Sequence, residues 1–241
     1  MPIAFQNATT ATVNGAATGT INVPAGTVNG DMLVLGVCVA ESVGVDPTVT
    51  GFTQKATADG GGTEDNTVVL FWRRASSEPA SYTVTLDASF GDYAAIAMLR
   101  YTGVISSGDP FRTSGSVFRS TRGTPQTSVA LTGVQASDLA LHMAGVVMGT
   151  WNTQSFDLAG PGGSWVERGE VYMTTNSTAK PAVIFVEQLG TGSAPTLTAT
   201  GTASASNIIW CFAAGALMEE PAAVAAPPLV HSTAVRRAST W

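Results

Sequence analysis

Two kinds of hydrophobic pattern share the chain. In the first, apolar and polar residues alternate: Thr20-Ile21-Asn22-Val23 before Pro24, Ser81 to Asp87 with Tyr82, Val84 and Leu86 on one face, and more weakly Ser128-Val129-Ala130-Leu131-Thr132. A period of two puts successive side chains on opposite faces of a strand, so these segments predict strands with one wet face. In the second, apolar residues run on unbroken: Met32 to Ala40, Val68 to Trp72, Ala94 to Leu99, Leu139 to Met148, Val183 to Val186 and Ile208 to Leu217. Periodicity alone does not separate strand from helix there. Length, Val, Ile and Phe content and the flanking turn residues predict buried strands. Asn29-Gly30-Asp31, Asp59-Gly60-Gly61-Gly62, Ser107-Gly108-Asp109-Pro110 and Gly160-Pro161-Gly162-Gly163 break the chain between elements. No segment carries a capped amphipathic helix. Many short strands about ten residues apart predict an all-β fold, a jelly-roll-like sandwich.

The blocks repeat. Gly30-Asp31-Met32-Leu33-Val34-Leu35 resembles Ser137-Asp138-Leu139-Ala140-Leu141, and Gly51-Phe52-Thr53-Gln54-Lys55 resembles Ser164-Trp165-Val166-Glu167-Arg168. Val68 to Arg73 corresponds to Ala182 to Glu187, Tyr82 to Leu86 corresponds to Thr196 to Thr200, and Tyr93 to Tyr101 corresponds to Asn207 to Gly215. The offset stays at roughly 107 to 114 residues, which defines two similar halves, about 18–104 and 126–217. These are either two small domains or two parts of one. Residues 103–126 hold turns but no long linker, and a sheet with an apolar face needs a second sheet to cover it. That argument favours a single β-sandwich over residues 1–218, formed from the two interleaved halves. Beyond it, Pro221-Ala222-Ala223-Val224-Ala225-Ala226-Pro227-Pro228 has no place in a central strand, since proline lacks the donor. Residues 219–241 therefore read as an extended C-terminal arm. A purely solvated tail rarely keeps large apolar residues. Leu229, Val230, Val235 and Trp241, with Arg236 and Arg237, are read as a partner-docking set, and proline stiffening lowers the entropy lost when such an arm docks.

Composition narrows the function classes. Charged residues are 12% of 241, about half the usual share, and Thr, Ser, Ala and Gly fill the gap. A surface of neutral hydroxyls is easily desolvated against a partner, which points to work inside an assembly. The net charge is −6 and the basic residues are scattered, so no nucleic-acid partner is expected. No apolar run reaches the ~18 residues that cross a bilayer, and no membrane insertion is expected. Met1-Pro2-Ile3-Ala4-Phe5-Gln6 lacks the basic-then-apolar pattern of a signal peptide, so folding in a cytoplasm is expected. Cys38 and Cys211 each lie in an apolar run and read as buried free thiols. A disulfide is the lesser alternative in a reducing compartment. Structural zinc wants four ligands, usually in close pairs, so neither metal nor cofactor is expected.

Candidate chemistry is sparse. His142, within Leu141-His142-Met143-Ala144, reads as a core or face histidine, and His231 lies in the arm, a poor place for a preorganised site. There is no Gly-x-Ser-x-Gly elbow. Asp157, Glu167, Glu170 and Glu187 would form a glycosidase pair only if two of them faced each other, and they fit exposed strand positions equally well. The glycines near 60 and 160 do not precede a helix, so a phosphate loop is unsupported. Trp72, Trp165 and Trp210 lie in strand blocks and read as core or half-core. Trp151, near a turn, is the candidate exposed ring for stacking on a sugar.

The chain resembles a family of repeated β-sandwich proteins in the structural gene clusters of tailed bacteriophages, particularly those of actinobacteria. The resemblance rests on Val23-Pro24 leading to Gly30-Asp31-Met32-Leu33-Val34, then Gly51-Phe52, Phe71-Trp72-Arg73-Arg74-Ala75 and Tyr82-Thr83-Val84. It closes on Leu99-Arg100-Tyr101-Thr102-Gly103-Val104 before Asp109-Pro110-Phe111. It covers about residues 18–217 and leaves the arm outside. It implies a structural virion protein, not an enzyme: a minor tail protein or a head decoration protein, folded in the host cytoplasm. Its partners would be other virion proteins, copies of itself and, as an alternative, a host-surface glycan. A carbohydrate-binding adhesion module is the rival reading from another class, and an enzyme acting on cell-wall polymer is the weakest.

Overall fold

The computed structural model describes residues 1–40, 46–60, 66–86, 93–120, 125–148, 156–159, 165–174, 180–190, 200–203 and 208–222. Among them are sixteen strands and no helix. The first half contains β1 (Ala4–Asn14), β2 (Thr18–Asn22), β3 (Met32–Ala40), β4 (Thr48–Val49), β5 (Thr53–Asp59), β6 (Thr67–Arg74), β7 (Ser81–Thr85) and β8 (Tyr93–Thr102). The second contains β9 (Phe111–Arg119), β10 (Gln126–Thr127), β11 (Leu139–Met148), β12 (Phe156–Ala159), β13 (Val166–Tyr172), β14 (Lys180–Leu189), β15 (Thr200–Ala203) and β16 (Ile209–Leu217). Every pairing between these strands is antiparallel. No described helix is long and apolar enough to cross a membrane.

Each half builds a five-stranded and a three-stranded sheet. The orders are β1-β8-β3-β6-β5 with β2-β7-β4, then β9-β16-β11-β14-β13 with β10-β15-β12. Counted from the first strand of each half, the two arrangements are the same. Among the described residues no sheet mixes strands from both halves, so the sheets do not interleave them. Each half closes on itself, β1 against β8 and β9 against β16, before the chain moves on.

The large sheets are covered on both faces. From β3, Leu33, Leu35 and Val37 pack with Ile21, Val49 and Val84 of the small sheet in their own half. Met32, Val34 and Cys38 face the other way and pack with Leu141, Met143 and Phe185 of the second half. β11 mirrors this, with Leu141 and Met143 on the seam and Ala144 and Val146 packed with Leu158. Two-sided burial accounts for the unbroken apolar runs, since no position on such a strand faces water. The alternating segments form the outer layers: Ile21 and Val84 are buried while Thr20, Thr83 and Thr85 are exposed. Ser128–Thr132 departs from its expected strand. The strand ends at Thr127, Ser128 turns inward to reach the His142 ring, and the buried Leu131 keeps only an isolated bridge.

Register corrects the repeat in two places. Met32 pairs with Arg74 and Leu139 with Leu189, so Val68 corresponds to Val183 rather than Ala182. The one-residue difference matters, because Val68 and Val183 both face the seam whereas Ala182 faces the other core. Met32 also pairs with Tyr101 and Leu139 with Leu217, so Tyr101 corresponds to Leu217 rather than Gly215. The Thr53–Val166 correspondence holds residue for residue, down to a β-bulge at the same place in β5 and β13.

At the seam the halves complement each other in size. A Cβ on Gly36 would overlap Met143 and Phe185, and a Cβ on Gly145 would overlap Val68 and lie 2.9 Å from Cys38 Sγ. Gly36 occupies the position in β3 that Met143 occupies in β11, and Cys38 the position of Gly145. Each half thus supplies the hollow for the other's side chain. Gly145→Val should lower unfolding free energy by about 2 kcal/mol or more through overpacking. Gly169→Ala, whose new methyl would meet Leu99 Cδ1 at 3.5 Å, should cost less than about 1 kcal/mol by the same reasoning. Urea unfolding midpoints of the two variants against the parent chain measure the difference.

Candidate functional site

Polar chemistry collects at the turns into the central strands and along the seam. The repeated Asp of the first sequence block does the same work in both halves. Asp31 Oδ2 accepts from the Val28 amide at 2.9 Å and from Arg100 Nε at 2.6 Å. Asp138 Oδ2 accepts from the Gln135 amide at 2.8 Å and from Arg112 Nε at 2.6 Å. A side-chain carboxylate closing its own turn is a recurrent use of Asp. Only the arginine changes origin, from β8 in the first half to β9 in the second.

Asn66 pins one edge of the seam. It is buried at 1% exposure. Its Nδ2 donates to the carbonyls of Gly145 and Ile209 at 3.1 and 3.2 Å. Cys38 Sγ donates to its Oδ1 at 3.3 Å, and Cys211 Sγ to its backbone carbonyl at 3.1 Å. Both cysteines are therefore free thiols in one buried cluster that joins the halves. Burial raises the Cys211 thiol well above its ordinary value, and Cys38 adds to the effect. Sequence reading passes over Asn66, because an asparagine between a glycine-rich turn and a strand reads as one more turn residue.

The bulges of β5 and β13 place a cation at each end of the seam. Lys55 Nζ lies 5.5 Å from the centre of the Phe111 ring and 2.6 Å from Asp109. Arg168 lies 4.8 Å from the centre of the Phe5 ring and 2.6 Å from Glu187 Oε1. Each cation thus covers an aromatic ring of the opposite half. The surroundings then diverge. At the Lys55 end, Trp72 packs against the shared core. At the Arg168 end, Glu187 stands in the corresponding position, buried at 5%, and accepts from the Tyr101 hydroxyl at 2.8 Å. Burial and then the Glu187 charge hold that phenol well above its ordinary value, so it keeps its proton.

A cleft of about 560 Å³ opens above Glu187 and Arg168. Its walls include Ile3, Phe5, Leu139, Val166 and Leu189. Val166 is 44% and Leu189 58% exposed, so the rim is apolar and open to water. Its charged floor is already paired internally, which leaves apolar contact as the main attraction it offers.

The candidates read from the sequence are scattered. His142 is fully buried, its Nδ1 2.9 Å from Ser128 Oγ and its ring edge-on to Trp165 at 4.9 Å. Burial lowers it to about 3, so it is neutral in the core. Of the four carboxylates, Asp157 and Glu167 are exposed, Glu170 is half-buried, and Glu187 belongs to the seam. Burial, then the charges of Glu167 and Asp157, raise Glu170 above its ordinary value. Trp210 is buried and stacked on Phe212, and Trp72 and Trp165 pack against core clusters. Trp151, His231 and the docking set Leu229, Val230, Val235, Arg236, Arg237 and Trp241 lie outside the described residues. Among the described residues, no group of three or more His, Cys, Asp or Glu side chains is arranged to hold a metal ion. Comparison of the chain with models of protein families, with curated proteins and with solved structures found no match.

The buried histidine has a consequence for stability. Folded, the ring takes a proton only near pH 3, against an ordinary value of 6.5. The unfolded chain therefore binds more protons between those values, and stability falls as pH drops through that window. The loss across it should be on the order of 4 kcal/mol. Unfolding free energies of the parent chain and His142→Gln, followed from pH 7.5 to 4 (about one unit above the window and most of the way through it), should differ by a constant above pH 7. Below 6.5 the parent should lose stability faster.

Proposed function

We propose that the chain is a structural virion protein of a tailed bacteriophage, a minor tail protein that assembles in symmetric copies through its outer surfaces and its C-terminal arm. The observation that carries this reading is the welded seam. Two halves of one strand order share a core through complementary Gly36–Met143 and Gly145–Cys38 contacts. Such a block is stiff, and a particle part needs shape more than a pocket. Eight strands split between two antiparallel sheets, first strand beside last, also suit a jelly roll in each half, a fold used in viral capsid and lectin domains. The low share of charge supports close packing in an assembly. In this reading the chain folds in the host cytoplasm, has no catalytic centre, and contacts other virion proteins and copies of itself.

A head decoration protein would use the same block at a different place on the particle. A carbohydrate-binding adhesion module is favoured by one observation, the 46% exposed ring of Tyr172 on β13. Particles purified from lysates should contain the chain at a fixed copy number, and its location by gold labelling should fall on the tail. Labelling of the head would move it to the decoration class. Binding on a glycan array that Tyr172→Ala abolishes, with no chain in the particles, would replace the structural reading by the adhesion one.

A further inference from the structure

Three of the large hydrophobic side chains exposed among the described residues, Val166, Tyr172 and Leu189, lie on β13 and β14. Among the described residues β13 is the edge of its sheet, so no described strand pairs with its outer side. An open edge carrying apolar residues is a template for an extended segment. The cleft lies on the seam face of this edge. The opposite face carries Glu167 and Glu170, which pair with Val186 and Ile184 of the other core. A segment crossing the edge touches both.

The charges select the segment. If β13 paired with β13 of a second copy, Glu167 and Glu170 would face carboxylates, which is unfavourable. A complementary segment is apolar and basic. The chain has two neighbouring pairs of basic residues, Arg73-Arg74 and Arg236-Arg237. Arg73 is bonded to Glu78 at 2.9 Å within its own half. The second pair lies in the segment from Leu229 to Trp241, beside Val235.

The length of the chain beyond the described residues decides whose arm it is. The carbonyl of Glu220, at the root of the arm, lies 3.3 Å from the Met1 amino group, and Ile3 lines the cleft. The cleft wall is therefore within roughly 10 Å of the root. Residues 221–228 include Pro221, Pro227 and Pro228, and an extended proline-bearing spacer of that length spans about 25 Å. A spacer of that reach is long enough for Leu229 to meet another molecule.

We propose that the cleft beside β13 is the receptor for residues 229–241 of a second copy of the chain, with apolar arm residues seated between Val166 and Leu189 and the Arg236-Arg237 pair turning one guanidinium toward Glu167 and Glu170. This deepens the assembly reading above and rests on it for its biological sense, but the contact is testable in the isolated chain of residues 1–241. A photo-cross-linking amino acid at Leu189, an exposed position, should yield a covalent dimer whose cross-linked peptide lies within 229–241. Glu167→Lys with Glu170→Lys should weaken self-association about tenfold by sedimentation. Adding Arg236→Glu and Arg237→Glu should restore it, which a folding defect would not allow. Cross-links to 229–241 within one chain would show that the arm closes on its own cleft and overturn the proposal. Cross-links elsewhere, or none, would overturn it too. Copy number in purified particles reports on the virion reading separately, so either idea can fail while the other stands.

Discussion

The structure depends on one constraint: the central strands of each half must be buried on both faces. β3, β6, β8, β11, β14 and β16 carry apolar side chains at successive positions, so a small sheet on one side leaves the other face wet. The second half is what covers it. At about 1.5–3 kcal/mol for each large side chain removed from water, the face of one large sheet alone is worth at least as much as the net stability of an ordinary domain. Neither half has an alternative use for that surface. The seam follows, and the glycines follow from the seam, because sheets bearing bulky residues on both sides approach closely only where one side gives way.

Duplication makes the frame and divergence gives it two different ends. The strand orders, the paired bulges and the turn aspartates Asp31 and Asp138 are common to both halves. Lys55 and Arg168 sit at corresponding bulges and cover corresponding rings across the seam. The replacement of Trp72 by Glu187 is where the correspondence breaks. A tryptophan fills space with apolar surface, whereas a carboxylate must be satisfied by partners, here Arg168 and Tyr101. Arg168 and Glu187 lie on the floor of the open cleft, with Tyr101 buried behind them. The same size logic at Gly36 and Gly145 fits each half to the other better than to a copy of itself.

The polar groups along the seam serve structure by their geometry. Asn66 donates to carbonyls of β11 and the start of β16, and its own acceptors are met by thiols from both halves. Buried polar groups cost free energy unless paired, so a fully bonded asparagine specifies one docking of the halves among the many that apolar surfaces alone would tolerate. His142 is the counterexample. Its Nε2 has no hydrogen-bond partner among the described residues, and its burial holds it neutral.

By itself the sequence determined the strand content, the positions of most central strands and the duplication. Those are local facts, written in alternation, in apolar runs and in turn residues. The unbroken runs also implied burial on both faces. Which surface covered the second face was not legible, because periodicity records that a side chain is buried and not by what. Strand-by-strand correspondence was similarly blurred: Ala182 and Val183 are both small apolar residues, and only ladder register tells which faces the seam. The cleft, the Asn66 staple and the cation–ring pairs join residues far apart in the chain and of unremarkable type. Tertiary structure alone decided them, because each exists only once two complete sheets are laid face to face.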